Sequence, residues 1–278
     1  MTTDLDPDHA FDAARYARRI GLDGLPAATP DGVRRVIAAH TRAIPFENLG
    51  AFLGLGVSIE PSAVMAKLVE SRRGGWCFEQ NLLLGLALRS MGVPVTDLAA
   101  QVIWFRPPGT RSARTHRLLL LELEGAPHIA DVGFGAVTPT DLIRLVPDVE
   151  QPTSHEPFRL IRQGERWLLE VWLGRHWQPV YLFDLNPIWP DDFGPVNYQL
   201  SHDPESAFVK ALNVTRVVPG GRISLRDAEF TRRGRDGTAE VRRLRDVPEI
   251  LAVLADEFGI DAAGLPGVRE RLAGCIVQ

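Results

Sequence analysis

Cysteine is scarce in this chain: Cys77 and Cys275 are the two among 278 residues, and they form no CxxC pair. A disulfide framework and a structural zinc site both lack their ligands, and no metal is expected. Long apolar runs are missing too, since none reaches the roughly 18 residues that cross a bilayer as a helix. No membrane association is expected. The first residues, Met1-Thr2-Thr3-Asp4-Leu5-Asp6-Pro7-Asp8, are acidic and carry no apolar run of the secretory kind. The expected location is therefore cytoplasmic, with both thiols reduced. An excess of positive charge is also absent: 31 basic side chains face 35 acidic ones, for a net charge of -4. That excludes the electrostatic footprint of a nucleic-acid binder. Arg232-Arg233-Gly234-Arg235 and Arg242-Arg243-Leu244-Arg245 lie among Asp and Glu, and read as solvated strand faces.

What is present is ordinary globular composition, 45% hydrophobic and 24% charged, in a chain long enough to bury a core. The first 90 or so residues read as helices. Asp6-Pro7 and Thr29-Pro30 each look like a cap followed by proline at the first helical position. The first of these helices runs through Phe11, Tyr16 and Ile20. Val33, Ile37, His40 and Ile44 then recur at helical spacing until Pro45, and Glu60-Pro61 opens a third helix that ends at Gly74-Gly75. From Val93 to about Phe183 the apolar residues come in strand-length runs: Leu98 to Phe105, His116 to Leu123, Ile129 to Val132, Phe158 to Ile161, Trp167 to Leu173 and Val180 to Phe183. Short glycine-containing turns between several of them predict hairpins and a small barrel or curled sheet. Asn186 to Pro204 reads as a connection with one short helix. Beyond it come two more hairpins and a helix opened by Asp246 and Glu249 as a capping box.

Arg73-Gly74-Gly75-Trp76-Cys77-Phe78-Glu79-Gln80-Asn81 is the stretch that points to chemistry. Leu82-Leu83-Leu84-Gly85-Leu86-Ala87-Leu88 follows, apolar on all sides, so it predicts a buried helix. With the two glycines as a flexible turn, Cys77 falls in the helix's first turn, where unpaired N–H groups favour a thiolate. The same position also suits a cysteine that serves as a small buried hydrophobe. Arg73 and Glu79 read as a buried pair holding this turn, and Glu47 and Asn48 as similar polar struts.

A cysteine nucleophile needs a base, and the base needs an orienting group. Of the seven histidines, His40 on an apolar helix face reads as a satisfied core residue, and His116 stands apart at the head of the strand His116-Arg117-Leu118-Leu119-Leu120-Leu121. Asp131 lies in the next strand in an apolar setting that demands a partner. The short connection Glu124-Gly125-Ala126 makes the two strands antiparallel neighbours and can bring Asp131 beside His116. A buried Asp–His pair serving stability alone has the same pattern.

These residues resemble the arylamine N-acetyltransferase family. The Arg73 to Asn81 stretch looks like that family's active-site signature, and Ile44-Pro45-Phe46-Glu47-Asn48-Leu49, Thr115-His116 and Asp131-Val132-Gly133-Phe134-Gly135 match it in the same order. Asn197, Tyr198, Ser201 and Phe208 resemble its next recurring segment; the likeness runs from about Tyr16 to Leu225. The fold it implies is α+β: an N-terminal helical bundle over residues 1–92, a central β-barrel over 93–185, a connection over 186–210 and a C-terminal α/β lid over 211–278. A Cys-His-Asp triad of the cysteine-protease kind, Cys77, His116 and Asp131, is implied at the domain junction.

The resemblance also implies ping-pong transfer of acetyl from acetyl-CoA, through a Cys77 thioester, to an aromatic amine, hydrazine or hydroxylamine. Coenzyme A and a small amine would then be the partners of a monomer or homodimer. Phe46, Val102, Trp104, Phe134 and Phe208 would line the acceptor pocket, Val102 and Trp104 by sharing one face of a strand; each also reads as plain core. Thr115, Gly133 and Gly135 would approach CoA. Gly194-Pro195 departs from the family pattern, since proline there would end or kink a helix expected between barrel and lid. Macrolactam-forming amide synthases resemble the same family and use a similar triad. A Cys-His-Asp acyl hydrolase or transglutaminase-like enzyme, and a non-enzymatic binding module, would also fit a cysteine, histidine and aspartate in this order. Cys275, with no histidine nearby in sequence, reads as incidental.

Overall fold

Side-chain caps set the helix starts in the N-terminal part of the computed structural model, which describes residues 11–107 and 109–276. Helix α1 (Ala13–Arg19) opens where the Asp12 carboxylate accepts from the N–H of Arg15; the Asp6-Pro7 start lies outside the described residues. Helix α2 (Pro30–Ala43) has Thr29 accepting from the N–H of Gly32, with Pro30 pre-set at its first position. Pro45 ends that run, and the chain continues as a two-residue strand β1 (Phe46–Glu47) and a single helical turn α3 (Leu49–Phe52). Helix α4 (Pro61–Val64) passes directly into a π-helical turn over Met65–Glu70. The third helix thus stops short of the glycine pair. Helix α5 (Cys77–Ser90) is buried from Cys77 to Leu88. Its leucines pack between Tyr16, Val33, Ile37 and Leu68 on one side and Leu119 and Leu121 of the sheet on the other, which is why it carries no polar face.

Strands β2 (Val95–Val102), β3 (Arg114–Leu123), β4 (Ala126–Ala130), β5 (Ile143–Arg144), β6 (Phe158–Gln163), β7 (Arg166–Trp172) and β8 (Trp177–Phe183) form one antiparallel sheet in the order β5-β4-β3-β2-β8-β7-β6. Bridges from Pro147 to Leu160 and from Gln151 to Phe158 join its two edges, so the barrel is nearly closed. Its interior holds Leu98, Leu118, Phe158, Leu169, Tyr181 and Phe183. Two boundaries differ from the sequence reading. Strand β2 ends at Val102, because Phe105 takes a positive φ of 51° in the turn that follows. Strand β4 ends at Ala130, which leaves Asp131 just beyond it.

Between the barrel and the C-terminal sheet, helices α6 (Phe193–His202) and α7 (Ala207–Lys210) replace the single short helix expected. Pro195 neither ends nor kinks α6. It is the third residue of that helix, within the first turn, where an N–H has no intrahelical acceptor to lose.

Strands β9 (Asn213–Val218), β10 (Gly221–Arg226), β11 (Glu229–Gly234) and β12 (Ala239–Arg243) form the C-terminal sheet, packed on α8 (Val247–Asp256) and α9 (Val268–Ile276). The box at α8 is offset by one residue: Asp246 accepts from the N–H of Glu249 at 2.8 Å, but the Glu249 carboxylate accepts from Arg245, also at 2.8 Å. Helix α9 has no counterpart in the sequence pattern, and it buries Cys275 among Phe258 and Leu272. Strand β1 is the edge of this sheet, pairing Phe46 with Thr215 and Glu47 with Val214. Leu49 and Phe52 join the same core. The segment just after Pro45 therefore ties the helical part of the chain to the C-terminal sheet.

Candidate active site

The approach to Cys77 is held by backbone, not left flexible. Gly75 donates its N–H to Pro45 O at 3.2 Å and accepts from the N–H of Glu47 at 3.1 Å. A Cβ at Gly74 would stand 2.2 Å from Pro45 O, and one at Gly75 2.7 Å from a Glu79 carboxylate oxygen. Both glycines are needed for close packing. The expected Arg73–Glu79 pair does not form. Arg73 instead binds Glu47, through Nη2 at 2.5 Å, while Glu79 takes Lys67 Nζ at 2.7 Å and the N–H of Trp76 at 3.1 Å. The reach of each side chain explains the exchange: Glu79 is folded back on its own helix start, and strand β1 delivers Glu47 to Arg73. Asn48 is a polar strut, donating to the carbonyls of Phe208 and Ala211 at 2.6 and 2.7 Å. His40 is a core residue whose burial pushes it down to about 3, so the ring is neutral. Its Nδ1 accepts from Tyr16 and its Nε2 donates to Gln80, whose own amide donates to Gly75 O at 2.9 Å.

Cys77 is the first residue of α5, and its Sγ lies 3.8 Å from Thr115 O on β3. The next residue of that strand is His116. Its Nε2 donates to Asp131 Oδ2 at 2.7 Å, and both side chains are buried. The second oxygen of Asp131 accepts from Asn81 Nδ2 and from the N–H of Gly133, each at 2.9 Å. Asn81 also donates to Arg117 O at 2.6 Å and accepts from the N–H of Val132 at 3.0 Å. One amide on the cysteine's own helix thus joins β3 to the turn after β4. Burial opposes charge on His116, but the Asp131 carboxylate, its hydrogen bond and the neighbouring Cys77 outweigh it and hold the imidazole well above its ordinary value. Burial likewise opposes charge on Asp131, and His116, Asn81 and Gly133 overcome it and hold the carboxyl below the usual range. The arrangement is a buried imidazolium–carboxylate pair beside a cysteine at a helix N-terminus.

Gly133 has a specific reason to be glycine. A Cβ there would meet Cys77 Cα at 2.6 Å and Asn81 Nδ2 at 3.0 Å. Its backbone packs on the first turn of α5, which by itself calls for a residue without a Cβ. Gly133→Ala is expected to destabilise the fold by ~2 kcal/mol or more and to slow turnover, checked by urea unfolding alongside steady-state rates. Gly135, with φ of 82°, lies against the Phe46 ring and at the mouth of a cleft.

Two aromatic groups flank the cysteine and histidine. Phe46, Trp76 and Phe208 cluster with Cys77, the Phe208 ring 6.3 Å from Phe46 and 5.3 Å from Trp76. Phe134 stands edge-on to His116 at 5.3 Å, with Trp104 6.0 Å beyond it. Trp104 does not share a strand face with Val102, since β2 has already ended; the turn that carries Phe105 brings it to Phe134 instead. Val102 pairs across the sheet with Tyr181. Tyr181 has no signal in the sequence, yet its ring tilts against His116 at 5.1 Å and completes the wall behind the imidazole. Thr115 contributes its carbonyl, rather than its hydroxyl, near the sulfur.

From Gly135 a cleft of about 540 Å³ opens between barrel and C-terminal sheet, with Trp172 on one wall and Arg222, Arg233 and Arg235 on the other. Arg222 is tied to Glu156 at 2.5 Å and to Thr138 O at 2.9 Å, and its Nη1 has no partner among the described residues. Among the described residues no group of His, Cys, Asp and Glu is placed to hold a metal, and no helix is long and apolar enough to cross a membrane.

A family model described as N-acetyltransferase matches residues 31–265. An arylamine N-acetyltransferase of Escherichia coli (strain K12) is 39% identical over 246 residues, covering 88% of this chain and 87% of its own length. The solved structure of the Mycobacterium smegmatis arylamine N-acetyltransferase superposes with a TM-score of 0.92 at 37% identity, over 96% of this chain and all of that one. That of Mycobacterium marinum arylamine N-acetyltransferase in complex with CoA gives 0.89 at 35% identity, over 95% and 98%. With the family model spanning most of the chain and relatives of this identity covering nearly all of it, the chain belongs to the arylamine N-acetyltransferase family.

Proposed function

We propose that Cys77, His116 and Asp131 form the catalytic triad of an acetyl-CoA-dependent arylamine N-acetyltransferase. The observation that carries this reading is the buried 2.7 Å His116–Asp131 pair set beside the first turn of the helix that starts at Cys77. In the first half-reaction the Cys77 thiolate, paired with the His116 imidazolium, attacks the thioester carbonyl of acetyl-CoA; the carbon–sulfur bond to CoA breaks and CoA leaves. The acetyl group now rests on Cys77. In the second, an aromatic amine, hydrazine or hydroxylamine attacks that thioester and its proton passes to His116 as general base. Asp131 keeps the ring's orientation and tautomer through its hydrogen bond to Nε2, leaving Nδ1 for the sulfur side. Glu79 occupies the N–H of Trp76, and the remaining backbone N–H groups near Cys77 in the first turn would stabilise the tetrahedral oxyanion.

Phe46, Val102, Trp104, Phe134 and Phe208 supply a flat apolar surround for an aromatic acceptor. Acetyl-CoA is the donor co-substrate. The cleft between barrel and C-terminal sheet fits its other end: it starts at Gly135, beside the Cys77 cluster, and carries Arg233 and Arg235 for phosphates and an indole for a base. Thr115, whose carbonyl is near the Cys77 sulfur, and Gly133, whose backbone lies against Cys77, would meet the acetyl end of the donor. Arg233→Glu combined with Arg235→Glu is expected to raise KM for acetyl-CoA by about tenfold with kcat changed less than about twofold, in initial-rate kinetics at low salt. An unchanged KM would move the phosphates elsewhere.

None of these relatives is named an amide synthase or a hydrolase. Release of CoA from acetyl-CoA, followed with a thiol reagent over a panel of arylamines and hydrazines, separates the readings. Release that depends on the amine supports acetyl transfer; release at the same rate without amine would make the protein a hydrolase.

A further inference from the structure

On the outer face of the barrel, strands β2, β7 and β8, with residues 103–107 and 109–112, border an open cavity of about 800 Å³. Its floor is apolar, built from Ile103, Leu168 and Leu182. Arg106, Arg111 and Arg166 stand around it, and none of the three makes an ion pair among the described residues. No described carboxylate lines it, in a chain whose net charge is -4. The overhanging loop is anchored: Gln101 donates to Thr110 O at 3.0 Å and Ser112 to Val102 O at 3.3 Å. These two side-chain-to-backbone bonds flank Arg111 and fix its backbone at the rim of the cavity.

The cavity is separate from the acetyl-transfer centre by the thickness of a sheet. Leu182 follows Tyr181 on β8, and successive strand residues point to opposite faces. Tyr181 lies against His116, so Leu182 faces away from it. The size falls within the range of small-molecule sites, and an apolar floor with unpaired cations above it matches a ligand that is apolar at one end and anionic at the other.

We propose that this outer cavity binds an organic anion with an apolar body, of the class of medium-chain or aromatic carboxylates. Octanoate is the probe, titrated calorimetrically into the full chain, with 1-octanol and inorganic phosphate as controls for each end of the ligand. One equivalent of octanoate should bind, more tightly than either control. Arg111→Glu combined with Arg166→Glu should weaken it by about tenfold or more, while acetyl transfer by the same variant stays at the wild-type rate. Arg111→Gln with Arg166→Gln should weaken it less, in the same direction. Three results would overturn the proposal: no saturable binding at millimolar octanoate, equal binding by the double variants, or displacement of octanoate by acetyl-CoA, which would place it in the catalytic cleft. Phosphate binding as tightly as octanoate would overturn the apolar half of it.

Discussion

Cys77→Ala should leave a folded protein whose acetyl transfer is lower by ~10⁴-fold or more. The size of the loss follows from the chemistry: without the sulfur there is no acyl acceptor, and His116 and the helix N-terminus have nothing to activate. The small cost in stability follows from the packing. The hydrogen bond of Cys77 Sγ to the backbone is a long one, 3.8 Å to Thr115 O, and the turn itself is held by Glu79, Gln80 and the Gly75–Glu47 backbone bond. Removing one sulfur from this site should cost about 1 kcal/mol. Thermal unfolding and turnover measured on the same sample separate the two quantities. A variant that loses stability and activity together would mean that Cys77 is a packing residue.

Asp131→Asn should be severe in both respects. The carboxylate accepts three hydrogen bonds, from His116, Asn81 and Gly133, and an amide can accept on one side only. One donor would then face another inside the protein. Stability should fall by roughly 3 kcal/mol or more and kcat by ~10³- to 10⁴-fold, the latter because the imidazole loses the partner that fixes its tautomer. The pH dependence carries a sign. Asp131 is lowered in the folded state, so its contribution is present above the ordinary carboxylate pKa and lost as pH falls through the lower folded value. His116 is raised, so its contribution is complete below its ordinary value and lost as pH rises through the higher folded one. The stability gap between wild type and Asp131→Asn should therefore be widest from about pH 4 to about pH 6.5, read from urea midpoints across that range.

Sequence patterns reach the elements of this site better than their joints. His116 and Asp131 are legible because an ionisable residue in an apolar strand demands a partner, and a short turn supplies the neighbour; the two groups lie 2.7 Å apart. Asn81 is in plain view inside the motif, four residues from Cys77 and so on the same helix face, but nothing local says that its amide will tie strand β3 to the turn after β4. Tyr181 has no signal at all, because its role depends on β8 lying beside β2, a pairing set by the closure of the sheet. The true partner of Arg73 is hidden for the same reason: backbone bonds between Gly75 and the Pro45–Glu47 segment bring Glu47 beside Arg73 from a distant part of the sequence. Pro195 and Trp104 depart from expectation by one turn and one strand end. In each, the residue's local preference holds, and its position within the element decides the outcome.

The most direct test of the central claim is intact-protein and peptide mass spectrometry after mixing the protein with acetyl-CoA and no amine. One acetyl group should appear on the peptide that contains Cys77, and addition of an arylamine should discharge it to give the N-acetylated amine. Absence of any acetyl group on Cys77 at millimolar acetyl-CoA, or an acetylated Cys77 that no arylamine or hydrazine discharges, would contradict the account.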